Sequence, residues 1–187
     1  MVRWFCKMSD LFLLLDELNA ELIKSEQKVR LTIIGGFALH LHGLSIRPTM
    51  DVDTITDLDD LNIDECVKRI GKKYGIKSWL NDQSYNLIMP DDYEKRLIKK
   101  NNFSNIELYV VSKEDLIKLK VAAYYYRRDF ENRDLEDLIL LKPTDSETRD
   151  AISFLKTKHL PEDQSYRSNF LEEVDELYDI LKQYLYN

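Results

Sequence analysis

The sequence predicts an α+β fold, with a small β-sheet flanked by helices and a helical extension at the C-terminal end. Short β-type segments alternate with helical ones in the first part of the chain, and from Ser112 onwards only helical segments follow. The character of the chain changes after Pro143, which predicts a domain at 1–141 and an extension at 142–187. The β-type segments are Thr32–Ile34, Met50–Thr56, Ile76–Asn81 and Asn105–Val111.

Length and composition are those of an ordinary globular protein. The chain has 187 residues, of which 44% are apolar and 33% charged, and a formal net charge of −7. This charge excludes a general attraction to nucleic-acid phosphate, although a local basic patch could still bind it. Cys6 and Cys66 form no metal-ligand pattern, and no apolar run approaches the roughly 20 residues that span a membrane. We therefore expect a cytoplasmic protein with no membrane partner.

The first element is an amphipathic helix. Ser9 is a plausible N-cap, and helical spacing continues to about Ser25. We expect this helix to pack beside the sheet, with partner binding through its leucines as the alternative. The leucines on its apolar face are Leu11, Leu14, Leu15, Leu18 and Leu22.

The stretch Leu31–Asp57 carries the main chemical signal. A β-type run ends at Gly35-Gly36, a short helix follows over Phe37–His42, and Arg47-Pro48-Thr49 is expected to be a loop. In the next strand Asp51 and Asp53 point to one face, because side chains alternate along a strand. Two carboxylates side by side repel each other unless a cation lies between them. Mg²⁺ prefers one or two carboxylates together with substrate phosphates, and a double glycine lets the backbone approach a phosphate.

This order of residues resembles the nucleotidyltransferase superfamily, which has the DNA polymerase β-like fold. Its motif is Gly-Gly or Gly-Ser followed by Asp-x-Asp, and here it stands as Gly35-Gly36 and Asp51-Val52-Asp53. The form is similar to bacterial members, including abortive-infection type toxins of toxin–antitoxin systems. The resemblance implies a nucleotidyltransferase fold with a small mixed β-sheet, Mg²⁺ held by Asp51 and Asp53, and a nucleoside triphosphate bound near Gly35, Gly36, Arg47 and Thr49.

The resemblance also implies a third carboxylate on a later strand, acting as general base. Asp82, after the third β-type segment, is one candidate, and Glu107 in the fourth is the other. Between the second and third segments, Asp64–Tyr74 is expected to be a helix that Gly75 ends. The polar stretch Met89–Lys100 is expected to be a loop with an exposed turn or short helix.

A second informative stretch is Ser112–Leu141. Ser112 and Asp115 form a capping-box-like helix start, and Arg127 and Arg128 close the helix. Leu116, Leu119, Ala123 and Tyr126 share one face of this helix, and Lys120 lies within that apolar face. A second helix starts at Arg133-Asp134-Leu135-Glu136-Asp137-Leu138.

This stretch is similar to the same toxin-like nucleotidyltransferases, at Lys120, Ala123, Arg128 and the segment that follows Arg133. The resemblance places Lys120 and Asp134 in the active site, with Lys120 and Arg128 near the triphosphate. The alternative is a salt-bridge network in which Lys120 and Arg128 pair with Asp134 and Asp137. Two further helices, Thr144–Leu155 and Phe170–Tyr186, carry no signature.

Together these patterns predict a Mg²⁺-dependent nucleotidyltransferase. The enzyme would transfer a nucleoside monophosphate from a nucleoside triphosphate to a hydroxyl of an acceptor, such as an RNA or tRNA end or a protein. A toxin with an antitoxin partner fits the resemblance. The alternatives are a non-catalytic regulatory or binding protein that keeps the fold, and a small-molecule (antibiotic) nucleotidyltransferase.

Overall fold

A computed structural model describes residues 8–44, 48–56, 63–84, 87–100, 103–128 and 132–186. Arg47 and Cys6 lie outside these residues. The helices are α1 Met8–Lys24, α2 Gly35–Leu41, α3 Asp64–Tyr74, α4 Lys113–Arg127, α5 Arg133–Leu141, α6 Asp145–Lys158 and α7 Gln164–Leu185. The strands are β1 Val29–Ile34, β2 Val52–Thr54, β3 Leu80–Asp82, β4 Ile98–Lys100 and β5 Ile106–Val110, and Tyr93–Arg96 is a 3₁₀ turn.

The five strands form one mixed sheet in the order β3-β2-β1-β5-β4. The central strand β1 runs antiparallel to β2 and parallel to β5, while β3 is parallel to β2 and β4 antiparallel to β5. This mixed sheet with flanking helices confirms the predicted fold class. All four β-type segments of the sequence correspond to strands, although β2, β3 and β5 are shorter than the segments that predicted them and β1 begins earlier.

The fifth strand, β4, is a correction to the sequence analysis, which expected a loop and an exposed turn or short helix there. Ile98 and Lys99 are exposed, so this edge strand shows neither an apolar run nor an alternation with a buried face. Its pairing with β5 places Lys99 opposite Tyr109. An edge strand of this kind is held by backbone pairing, which composition does not reveal.

Helix α1 buries its leucine face, as its periodicity predicts. Each of the five leucines is at most 2% exposed. On its polar side, Glu17 accepts a hydrogen bond from Lys73 at 2.8 Å and Glu21 pairs with Arg69, which join α1 to α3. The helix begins at Met8, so Ser9 lies inside it and is not the N-cap that the sequence predicted.

The chain divides into two compact units, which are described separately. The first comprises 1–87 and 94–111 and contains the whole sheet with α1, α2 and α3; its core includes Leu31, Leu108 and Trp79. The second comprises 88–93 and 112–187 and contains α4 to α7. The division at residue 141 stays a prediction.

In the helical unit, α4 starts as predicted. The Ser112 hydroxyl accepts a hydrogen bond from the Asp115 backbone N–H and donates one to the Asp115 carboxylate at 2.7 Å. Leu116 and Leu119 of the predicted apolar face are buried, but Tyr126 is 56% exposed. Helix α7 begins at Gln164, six residues earlier than its apolar stripe indicated, because Asp163 caps it.

Within the described residues, no helix combines the length and the apolar character that crossing a membrane requires.

Candidate functional site

The turn between β1 and α2 brings the backbone against an aspartate of the next strand. Gly35 has φ +65°, a left-handed conformation that L side chains rarely adopt. A Cβ at this position would lie 2.5 Å from Asp53 Oδ2. Glycine is therefore required twice here, for the turn and for the space that Asp53 occupies.

Gly36 stands in a similar relation to the loop before β2. A Cβ at Gly36 would lie 3.0 Å from Thr49 Oγ1. The Thr49 hydroxyl lies 3.3 Å from the backbone oxygen of Asp51 and 3.4 Å from its Oδ1. The structure thus brings Gly35, Gly36, Thr49, Asp51 and Asp53 together. The predicted nucleotide-binding residue Arg47 falls outside the described residues.

Asp51 and Asp53 share a face, as the alternation of β2 predicts. Val52 and Thr54 are fully buried on the opposite face, whereas both aspartates are half-buried. Asp53 is opposite Ile34, the last residue of β1 before the glycine turn. The short β1–α2 turn is therefore what sets the double glycine beside the aspartates.

Strand β3 and the residue that follows it each supply a carboxamide to this pair, which the sequence analysis missed. Asn81 is opposite Asp53 in the parallel pairing of β3 with β2, and its Nδ2 donates to Asp51 Oδ2 at 3.0 Å. Gln83 Nε2 lies 3.5 Å from Asp53 Oδ1. The only sequence signal was the alternation of Asn81 and Gln83, and its meaning depends on the register between the two strands.

Neither candidate for the third carboxylate lies beside the aspartates. Asp82 is opposite Thr54, so it faces the other side of the sheet, where its Oδ1 accepts the backbone N–H of Ser84 at 2.7 Å. Glu107 shares the face of Asp53, but β1 lies between their strands. Its exposed carboxylate pairs with Lys99 at 3.2 Å. The general base implied by the resemblance stays unassigned.

The residues at this site fit a hard divalent cation. Carboxylate and carboxamide oxygens are hard ligands that suit Mg²⁺, and the absence of a Cβ at Gly35 lets Asp53 Oδ2 lie directly beside the turn. In the part of the chain that the structure describes, no group of three or more His, Cys, Asp or Glu side chains is arranged to hold a metal. Asp51 and Asp53 would therefore share a cation with ligands of other kinds.

The second predicted cluster forms a buried ion-pair network within the helical unit. Lys120 Nζ lies 2.9 Å from Asp134 Oδ1 and 2.6 Å from Asp137 Oδ2, and both aspartates are at most 2% exposed. Arg127 reaches Asp134 Oδ2 at 2.6 Å. This is the salt-bridge network that the sequence left open, with Arg127 in the place expected for Arg128.

Arg128 has different neighbours. Its guanidinium lies 3.6 Å from a Glu173 oxygen and 5.3 Å from the centroid of the Tyr125 ring. The Tyr125 hydroxyl donates to Glu173 at 2.9 Å, and burial together with this carboxylate raises the pKa of Tyr125 to about 12. The assignment of Arg128 and Lys120 to a nucleotide stays a prediction.

Comparisons with known proteins found a family model and a solved structure that are similar to this chain. The model of the family described as "Nucleotidyltransferase of unknown function (DUF6036)" matches residues 9–182, which include both stretches singled out above. The crystal structure of an antigenic nucleotidyltransferase-like protein from Paracoccidioides brasiliensis is similar over 89% of this chain and 94% of that chain, with 17% identity and a TM-score of 0.47. No curated protein matches the chain in sequence.

Proposed function

Because the chain belongs to a family of nucleotidyltransferases of unknown function, we propose that it transfers a nucleoside monophosphate from a nucleoside triphosphate to an acceptor hydroxyl, with Mg²⁺ as cofactor. The observation that carries the proposal is the contact of the glycine turn with the aspartate pair. A Cβ at Gly35 would lie 2.5 Å from Asp53 Oδ2, and Asp51 lies on the same face of the same sheet.

Each residue has a part that follows from its position. Asp51 and Asp53 present carboxylate oxygens that would hold Mg²⁺ next to the glycine turn. Gly35 and Gly36 have no Cβ that would collide with Asp53 Oδ2 or Thr49 Oγ1, so the proposed cation-binding carboxylate lies directly against the backbone of the turn. When bound, Mg²⁺ supplies charge neutralisation for the triphosphate and polarises the phosphoryl group under attack.

In the proposed reaction the oxygen of the acceptor hydroxyl forms a bond to the α-phosphorus, the bond from that phosphorus to the pyrophosphate oxygen breaks, and the proton of the hydroxyl passes to water. The protein contributes mainly by positioning the two reactants and by stabilising charge. Asp82 faces the side of the sheet opposite the aspartate pair, so we do not give it the role of base.

Lys120 has a conditional place in this proposal. Asp134 and Asp137 take two of the three N–H donors of the Lys120 ammonium, so a triphosphate would find one donor there, or more only if a carboxylate partner is exchanged for a phosphate. The buried position of Asp134 and Asp137 opposes that exchange, because each would be left as a buried charge with fewer partners. The role of Lys120 in nucleotide binding, a toxin role and an antitoxin partner all stay predictions.

The proposal is tested by transfer of label. The protein is incubated with Mg²⁺ and each α-labelled nucleoside triphosphate in turn, together with RNA, with protein or with an aminoglycoside. We expect label on one acceptor class, and Asp51→Asn and Asp53→Asn to reduce transfer by about 100-fold or more. Asp82→Asn is the matched control, since it removes a neighbouring carboxylate from the opposite face and should leave transfer intact.

The acceptor that takes the label decides between the substrate classes. Label on the aminoglycoside would favour a small-molecule nucleotidyltransferase. If no acceptor is labelled and no triphosphate binds, the chain is a non-catalytic protein that keeps the fold. That alternative has one observation in its favour, since Asn81 and Gln83, which approach the aspartates, are carboxamides and do not accept a proton as a base.

A further inference from the structure

Each aspartate of the proposed site has a carboxamide beside it, one from β3 and one from the residue just after β3. Asn81 donates to Asp51 at 3.0 Å, and Gln83 approaches Asp53 at 3.5 Å. Asn81 and Gln83 share a face because they are two residues apart on an extended chain. Each carboxylate therefore has a side-chain amide close to it, from β3 for Asp51 and from the residue after β3 for Asp53.

A carboxamide and a carboxylate differ in two ways that matter to a cation. The amide N–H can hold a carboxylate oxygen in place, and the amide carbonyl is a hard oxygen ligand, but the group carries no charge. The affinity of an oxygen site for a divalent cation rises with the number of negatively charged ligands. The described residues of this site, two carboxylates and two carboxamides, carry two negative charges, where a third carboxylate would bring the number to three.

We propose that Asn81 and Gln83 are the positioning residues of the cation site, and that their neutrality makes cation binding depend on the nucleotide. This inference rests on the proposed function. The free protein holds Mg²⁺ weakly, because two charges and a reluctantly dehydrated ion give little affinity. The triphosphate brings the missing negative charge, so cation and nucleotide bind together. Asn81 acts in two ways: its N–H positions the Asp51 carboxylate, and its neutral side chain adds no negative charge to the cation site.

The test measures metal binding and needs no turnover. Mn²⁺ is titrated into the full chain and followed by electron paramagnetic resonance, with and without a non-hydrolysable α,β-methylene analogue of ATP. For the unmodified chain we expect weak binding of Mn²⁺ alone, and an affinity at least about tenfold higher with the analogue. Asn81→Asp should raise the affinity for Mn²⁺ alone by about tenfold and shrink the effect of the analogue.

Two further variants separate position from charge. Asn81→Leu removes the N–H donor without adding charge, and should weaken Mn²⁺ binding in the presence of the analogue by about tenfold. Asn19→Asp is the matched charge control. Asn19 Oδ1 accepts the backbone N–H of Asn105, which precedes the pairing of Ile106 with Val29 at the far end of β1 from Asp53. It should leave both affinities unchanged, and thermal melts check that each variant is folded.

The outcomes separate this inference from the proposed function. If the unmodified chain binds Mn²⁺ with the analogue but Asn81→Asp behaves like Asn19→Asp, the inference fails and the proposed function stands. Equal affinity for Mn²⁺ with and without the analogue also overturns the inference alone. If no variant binds Mn²⁺ even with the analogue, the cation site itself is wrong and both fail.

Discussion

The absence of a side chain at Gly35 allows both the left-handed conformation of the turn and the close approach of the Asp53 carboxylate. The left-handed φ excludes other residues by strain, and the position of Asp53 Oδ2 excludes them by contact. Gly43 offers a comparison within the same unit, because it has φ +74° but no atom of the described residues lies within 4 Å of its Cβ position. The two glycines therefore separate the cost of the conformation from the cost of the contact.

We predict that Gly35→Ala lowers the free energy of unfolding by about 2–3 kcal/mol, and Gly43→Ala by about 1 kcal/mol. Both alanines are strained by φ, but only the first displaces the Asp53 carboxylate. Urea denaturation followed by the fluorescence of the buried Trp79 measures both values. Mn²⁺ affinity in the presence of the triphosphate analogue should fall for Gly35→Ala only. If the two variants lost equal stability and equal Mn²⁺ affinity, the contact between position 35 and Asp53 would not be the cause of either loss.

The buried network around Lys120 gives a second prediction for single residues. Lys120→Met should lower the free energy of unfolding by about 3–5 kcal/mol, because it leaves Asp134 and Asp137 buried without their shared cation. Arg127→Met should cost about 1 kcal/mol or less, since the Arg127 side chain is 54% exposed. Chemical denaturation of the two variants checks the difference. A Lys120→Met protein as stable as the unmodified chain would mean that the lysine is held for binding and not for folding.

Sequence reasoning recovered the residues whose meaning is local. The spacing of Asp51 and Asp53 within one strand, and of the two glycines within one turn, fixes their relation without knowledge of the rest of the chain. Asn81 was missed because its role depends on β3 pairing with β2 in a particular register. Arg128 was expected where Arg127 is found, since neighbours on a helix point about 100° apart and a one-residue error in phase changes the partner.

Helix α6 begins with a capping box in which Thr144 and Glu147 cap each other's backbone N–H groups. The Thr144 hydroxyl accepts the Glu147 backbone N–H at 3.2 Å, and Glu147 Oε2 accepts the Thr144 backbone N–H at 2.7 Å. The backbone hydrogen bond from Thr144 is the main reason that the pKa of Glu147 lies below its usual value of 4.5. The carboxylate form of Glu147 is thus favoured in the folded chain.

A stability difference that depends on pH follows from this cap. A pKa that is lowered by folding adds stability above the unfolded value of 4.5, and this stability is lost as the pH falls towards the folded pKa. We predict that Glu147→Gln lowers the free energy of unfolding by about 0.5–1 kcal/mol near neutral pH. The difference from the unmodified chain should shrink as the pH falls from about 6 to about 3.

Thermal or urea unfolding across that pH range measures the difference, and Glu172→Gln, at an exposed position of α7, gives the background for the same chemical change. A difference between Glu147→Gln and the unmodified chain that stays constant with pH would contradict the role of the carboxylate in the cap.

The elements that sequence predicted best are those with a strong period or a cap. The leucine face of α1 and the glycine that ends α3 needed no partner to be recognised. Strand β4 has neither a period nor a cap, because its three residues are exposed or half-buried and two of them are lysines. Only the pairing with β5 makes these residues a strand. The early start of α7 was hidden for a related reason, since its first turn is polar and is held by the Asp163 cap.

At the scale of the whole molecule, each of the two units has its own ionic feature. The sheet unit carries the aspartate pair with its carboxamides, and the helical unit carries the Lys120 network. The family match spans residues from both units, so membership does not by itself say which unit binds a nucleotide. The net charge of −7 does not identify the nucleotide-binding unit either, because it gives the chain no broad attraction to a polyanion.

Hydrogen–deuterium exchange on the full chain can locate the binding unit. With Mg²⁺ and the non-hydrolysable triphosphate analogue, we predict slower amide exchange in peptides covering Gly35–Leu41 and Val52–Thr54, since these segments adjoin the proposed cation site. The Asp51→Asn variant should lose this protection, and Asp82→Asn should keep it. Protection confined to α4 and α5 would move the nucleotide to the helical unit and contradict the proposed function.

Strand β4 has a consequence for the behaviour of the protein in concentrated solution. A sheet margin with unpaired backbone groups invites another chain to add a strand, unless it is short or charged. This margin is three residues long and ends in two lysines, and the opposite margin, β3, is equally short and ends in Asp82. Neither edge strand offers a neighbouring molecule enough backbone groups for a stable strand pairing, so we expect the sheet to resist fibrillar self-assembly even in concentrated solution.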